Sequence, residues 1–125
     1  MRLLSHNVLR NTAKGVVDGY PLKIEAAEID VRDTEPDLTF IRHLLPTISF
    51  SGLRSAAEDL GLDAAAFPAS YSTTLGEDEA FLRALHKALF DVRVLEGSLV
   101  CPESGRRFSI RGGIPDMMLT DEELS

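Results

Sequence analysis

The hydrophobic period of the chain changes twice, and that change constrains the fold more than any single motif. Between residues 36 and 90 apolar side chains recur every three or four positions, and on either side they recur every second position. The first spacing stripes one face of a helix, and the second lines one face of a strand. In 36–45, Leu38, Ile41, Leu44 and Leu45 share a stripe, Pro36 suits a first helical turn and Pro46 stops the segment. In 49–60, Leu53, Ala56, Ala57 and Leu60 repeat the pattern, with Gly61 as a left-handed C-cap and Leu62 as its following hydrophobic contact. A third helix is predicted over 78–90, with Phe81, Leu82, Leu85 and Leu89 inward. Glu77, Asp78 and Glu79 at its start, and Arg83, His86 and Lys87 further on, complement the helix dipole. The stretch 63–75, rich in Ala, Ser and Thr and broken by Pro68, reads as a loop.

Both ends read as strands. Leu22, Ile24 and Ala26 alternate with polar residues, then the parity switches to Ala27, Ile29 and Val31, the mark of a bulge. Val92 and Val94 alternate, and Glu96-Gly97 is expected to turn the chain into Leu99-Val100-Cys101. Phe108 and Ile110 alternate after a polar turn, and Gly112-Gly113 breaks this strand before a last apolar patch over 114–119. Residues 3–7 are taken as a short N-terminal strand. The simplest assembly is α+β: one small antiparallel sheet formed by both termini, with a three-helix insertion. Residues 1–33 together with 92–125 make the β unit, and 34–91 make the helical insert. A 125-residue chain buries only about two thirds of its unfolded surface, so a surface completed by a partner matters energetically.

The net charge of −7 argues against gripping a phosphate backbone, and Arg106-Arg107 is the one adjacent basic pair. Cys101 is the single cysteine, so the chain forms no internal disulfide. No run approaches the roughly 20 apolar residues of a membrane span, and the start turns polar too early for a signal peptide. Cytoplasm and nucleus are the expected locations. Gly15-Val-Val-Asp-Gly19 and Gly112-Gly113 do not sit between a strand and a helix, as a nucleotide loop requires, and read as turns. His6, His43 and His86 stand far apart, and surface or capping roles are expected, with His43 and His86 half-exposed on helices. Cys101-Pro-Glu-Ser104 keeps the spacing of a metal knuckle but offers Ser104 where a second thiolate belongs. A turn held by hydrogen bonds without metal is expected there. Asp121-Glu122-Glu123 reads as a solvated tail.

Several blocks, taken in order, resemble one family. They are Met1-Arg-Leu-Leu-Ser-His-Asn7, Gly19-Tyr-Pro-Leu22, Glu79-Ala-Phe-Leu-Arg83, Glu96-Gly-Ser-Leu-Val-Cys-Pro-Glu-Ser-Gly-Arg-Arg-Phe108 and Gly113-Ile-Pro-Asp-Met-Met-Leu119. The chain resembles the multifunctional methyltransferase subunit family, the small activator shared by tRNA, rRNA and release-factor methyltransferases. The resemblance covers essentially the whole chain. It implies a zinc-ribbon-like β domain and no activity alone, the catalytic subunit of the heterodimer holding S-adenosylmethionine. It implies an activator that keeps the catalytic subunit soluble and supports its cofactor binding, with RNA met only indirectly. Zinc-bearing members carry two cysteines after the first short helix and a Cys-x-x-Cys pair near the end. Here 11–17 contains no cysteine and only Cys101 of the later pair remains, so the zinc site is degenerate and no cofactor is expected.

The partner surface is expected on Ile114, Pro115, Asp116, Met117, Met118 and Leu119, beside Leu3, Ser5 and Asn7 of the N-terminal strand. Alternation puts Met117 and Leu119 on one face and Met118 on the other, leaving an open edge for a methyltransferase strand. Methionine suits a surface that must fit several partners, because its unbranched chain repacks easily. The bland alternative packs these residues against the helices. Two other functions compete: a degenerate zinc ribbon that binds RNA or a ribosomal assembly, and a free-standing enzyme, for which no nucleophile, base or metal cluster is evident.

Overall fold

The computed structural model describes residues 1–124. Its elements run α1 (Leu3–His6), β1 (Lys23–Val31), α2 (Leu38–Leu44), α3 (Phe50–Asp59), α4 (Glu79–His86), β2 (Val92–Val100), β3 (Arg107–Arg111), β4 (Ile114–Pro115) and α5 (Asp121–Leu124). The strands form one antiparallel sheet in the order β1-β2-β3-β4, so β1 and β4 are its edges. The fold is α+β. Among the described residues no helix is long and apolar enough to cross a membrane.

The helices start where side chains satisfy their first amides. Asp37, Ser49 and Asp78 accept from the backbone N–H of Phe40, Gly52 and Phe81, capping α2, α3 and α4. Pro36 thus lies just outside α2 rather than in its first turn, while Pro46 falls in a 3-10 turn that ends the helix. Gly61, at φ 72°, closes α3 as expected, with the Leu62 amide reaching back to Ala57 O at 2.8 Å. The loop after it is anchored by buried Phe67. Leu22, Ile24, Leu99 and Phe108 from the sheet side pack in one continuous cluster with Ile41, Leu53, Leu82, Leu85 and Leu89 from the helices. Burying each such side chain contributes about 1.5–3 kcal/mol.

Two strand expectations are corrected. Residues 3–7 are not a strand: Leu3–His6 is helical because one turn puts Leu3, His6 and Asn7 on one face, where all three are buried. Only the two residues before it are extended. Arg2 bridges Arg93, and Met1 O accepts from Val94 N at 2.8 Å. Nor does Glu96-Gly97 turn the chain: β2 runs through it, between β1 and β3. Gly97 is needed for close approach, since a Cβ there would lie 2.3 Å from Glu25 O and its φ of 152° disfavours any other residue. The bulge in β1 is present as register shifts between Ala26 and Ile29. Beyond it Ala27, Ile29 and Val31 are exposed at the rim rather than inward.

Candidate functional site: an open sheet edge beside a cationic cavity

β4 is only two residues long, yet Asp116 N still reaches Ser109 O at 2.8 Å and keeps the chain extended along β3. The alternation is visible in the burial. Met117 and Leu119 pack against the core, whereas Ile114 and Met118 are 72% and 80% exposed. Large apolar side chains on an outer strand are the usual ingredients of strand addition.

Beside this edge lies a cavity of about 380 Å³, lined by Met1, Arg2, Ser5, Arg93, Gly113 and Pro115 among others. The Met1 amino group donates to Val94 O at 2.7 Å and to Gly113 O at 2.6 Å, tying the chain start to both β2 and the turn before β4. Burial, then the charges of Arg93 and Arg2, hold that ammonium below its ordinary pKa. Ser5 is exposed on the cavity wall, and no lining residue carries a carboxylate, imidazole or thiol. Arg2 and Arg93 were not read from the sequence as site residues. They meet only through a bridge between positions 91 residues apart, which leaves no local signal.

Leu3 and Asn7 are turned away from the surface. The Asn7 amide donates to Ser49 O at 2.8 Å and accepts from Ser49 N at 2.9 Å, while its backbone carbonyl accepts from Tyr20 Oη at 2.7 Å. Tyr20 sits on Gly52, where a Cβ would lie 2.1 Å from the phenol oxygen. These contacts dock α1 onto the start of α3.

The histidines divide. His43 is exposed, but His6 and His86 are buried, against expectation. His6 Nε2 donates to Leu22 O at 2.7 Å and, among the described residues, its Nδ1 is buried without a partner, so burial lowers its pKa and keeps the ring neutral. Thr34 Oγ1 donates to Asp91 and accepts from His86 Nε2 at 2.8 Å, fastening the segment after β1 to the end of α4.

The knuckle-like turn is held by its own polar atoms. Cys101 N donates to Arg106 O at 2.9 Å, Gly105 N to Cys101 O at 3.0 Å, and Ser104 N to Cys101 Sγ at 3.4 Å. Asn11, from the segment where zinc-bearing members have cysteines, donates to Ser104 Oγ at 3.4 Å and accepts from Ala13 N at 3.0 Å. Burial opposes ionisation of Cys101, but hydrogen bonds from Ser104, Asn11 and Glu103 outweigh it and bring the thiol below its ordinary pKa. One thiol, one hydroxyl and one amide do not fit zinc, which takes thiolates and imidazoles. Among the described residues no group of three or more His, Cys, Asp or Glu side chains is arranged to hold a metal ion.

Both glycine-bearing turns are engaged by carboxylates of the chain itself. Val17 N and Asp18 N donate to Glu103 at 3.1 and 3.2 Å, and Gly112 N donates to Glu96 at 2.9 Å. The acidic C-terminus is not a free tail. Asp121–Leu124 is helical, and Arg106 holds Glu123 through Nε at 2.9 Å and Nη2 at 3.2 Å.

Fold and site together define the class: a small α+β chain whose sheet ends on a short, exposed apolar edge beside a cationic cavity. No protein-family model matches the chain. A multifunctional methyltransferase subunit TRM112-like protein of Mus musculus is 42% identical over 98% of both chains. The TRM112 homolog B of Arabidopsis thaliana is 41% identical over 99% of this chain and all of its own. A chain in the solved E. cuniculi Mtq2–Trm112 complex, described as responsible for methylation of the eRF1 translation termination factor, has the same fold. Its TM-score is 0.61 at 20% identity, over 94% of this chain and 95% of that one. The chain belongs to the multifunctional methyltransferase subunit TRM112 family. Its function is that of a methyltransferase subunit.

Proposed function

We propose that the chain is the non-catalytic, activating subunit of S-adenosylmethionine-dependent methyltransferases acting on tRNA, rRNA and translation release factor. It forms heterodimers with their catalytic subunits, keeps them soluble and supports their cofactor binding. The observation that carries this reading is the β4 edge, where Ile114 and Met118 face solvent while Met117 and Leu119 anchor the segment to the core. A catalytic-subunit strand pairs with this edge through backbone hydrogen bonds, and the exposed side chains supply affinity. Each of them contributes about 1.5–3 kcal/mol on burial, a large part of the about 8 kcal/mol that defines a micromolar complex. Co-expression with a release-factor methyltransferase catalytic subunit tests it. Met118→Asp abolishes co-purification while the free chain keeps its native circular dichroism. Unaltered co-purification places the interface elsewhere, and loss of fold makes the segment core.

The two termini build a zinc-ribbon-like sheet that works without zinc, the Asn11–Ser104 hydrogen bond standing where a metal would cross-link. Elemental analysis after dialysis against a chelator finds no stoichiometric metal; one zinc per chain overturns this. The subunit works in cytoplasm and nucleus, where such RNA and release-factor substrates occur. Confinement of a fluorescent fusion to a membrane-bound organelle other than the nucleus argues against it.

A further inference from the structure

Among the described residues two arginines near the open edge enter no ion pair, in a chain with 20 acidic and 13 basic side chains. Arg2 and Arg93 pair backbone to backbone and both line the cavity beside β4, whose lining contains no acid. Among the described residues neither guanidinium enters an ion pair. Asp30, opposite Arg93 across β1 and β2, is held by Arg32 Nε at 2.7 Å, and Glu96 accepts from Gly112 N. Arg2 lies over the Phe90 ring at 5.7 Å, which positions its charge without neutralising it. Among the described residues Arg93 Nε is buried without a hydrogen-bond partner, an arrangement that is unfavourable until an acceptor arrives.

We infer that this cavity is the socket for a carboxylate, an Asp or Glu carried by the methyltransferase strand that pairs with β4. The inference rests on the proposed docking edge. Guanidinium forks match a carboxylate in bidentate geometry. The cavity shares Gly113 and Pro115 with the edge, so a strand laid on β4 delivers its side chain there. A phosphate backbone fits less well, because a net charge of −7 repels a polyanion and only two side-chain cations converge. The ion pair fixes register. A strand bound by apolar contacts alone is free to slip by two residues, whereas slipping would pull the acid from its socket. One apolar edge thereby accepts several catalytic subunits yet seats each in a single alignment.

Calorimetry of the full chain with a release-factor methyltransferase catalytic subunit, at low and high salt, tests the socket. Arg2→Gln and Arg93→Gln each weaken the complex, Arg93→Gln by about 30-fold or more, and flatten its salt dependence. Binding by both variants like wild type, with unchanged salt dependence, refutes the socket; if Met118→Asp still blocks binding, the docking edge stands. Should Arg93→Gln fail to fold, exposed Arg2 carries the same comparison. Normal protein binding with reduced affinity of the complex for tRNA assigns the cations to phosphate and overturns the carboxylate. If the wild-type chain binds no catalytic subunit, socket and proposed function fall together.

Discussion

Asn7→Ala removes a clamp rather than a contact surface. The side-chain amide satisfies both the N–H and the C=O of Ser49, at 2.9 and 2.8 Å, and Asn7 itself is 5% exposed. Truncation leaves two backbone groups unpaired, each costing about 1–3 kcal/mol when sealed from water. Ser49 is only half-buried, so water reaches part of the gap and the lower end applies, about 2–3 kcal/mol in total. Against a domain stability of about 5–15 kcal/mol this is a large fraction. It corresponds to a fall of about 10 °C in thermal midpoint for a chain of this size. The assay is urea unfolding of the free chain followed by circular dichroism, with the slope expected to stay constant. Asn7→Asp separates hydrogen bonding from packing. It keeps the shape but sets an acceptor against Ser49 O, so its deficit shrinks in acid, where the protonated group donates again. A loss below about 0.5 kcal/mol for Asn7→Ala, or a deficit in Asn7→Asp that does not respond to acid, refutes the clamp.

Three further outcomes follow from the same geometry. Gly97→Ala, which drives a methyl group into Glu25 O, destabilises by about 2 kcal/mol or more in a thermal scan. The Arg106 contact, with support from Thr120, holds the Glu123 carboxyl at about 2. Its stabilisation is therefore present above its ordinary value of 4.5 and is lost as pH falls from there toward about 2; Glu123→Gln removes it, seen as faster amide exchange in α5 at neutral pH. Burial lowers the pKa of His6, so below its ordinary 6.5 the unfolded chain binds a proton that the folded chain refuses. Stability consequently falls as pH drops below about 6.5, and His6→Gln flattens that slope in urea titrations.

The sequence was legible where a signal is local and repeated. The stripes of α2 to α4, the Gly61 cap and the alternation from Met117 to Leu119 each need only a few neighbouring residues, and each is present. It was illegible where two distant segments decide the outcome. Four helical residues at 3–6 are too few to show a period, and His6 and Asn7 are polar side chains buried because Leu22 and Ser49 supply partners. Gly97 looks like a turn until β1 lies beside it. Glu123 looks free until Arg106, on the far side of the sheet turn, reaches it. Arg2 and Arg93 carried no pattern, since an unpaired charge is recognised only when its neighbours are known.

The continuity of the core across helices and sheet has a consequence for the lifetime of the molecule. Leu22 and Phe108 share one packed interior with Ile41, Leu82 and Leu89, so the helices cannot melt and leave the sheet standing. Helices and sheet are therefore expected to unfold together, as small single domains do, while α5, outside that cluster, can fray on its own. Any ligand seated on the β4 edge consequently protects residues it never touches. At a free concentration one hundred times its dissociation constant it adds about 2.7 kcal/mol to the whole chain.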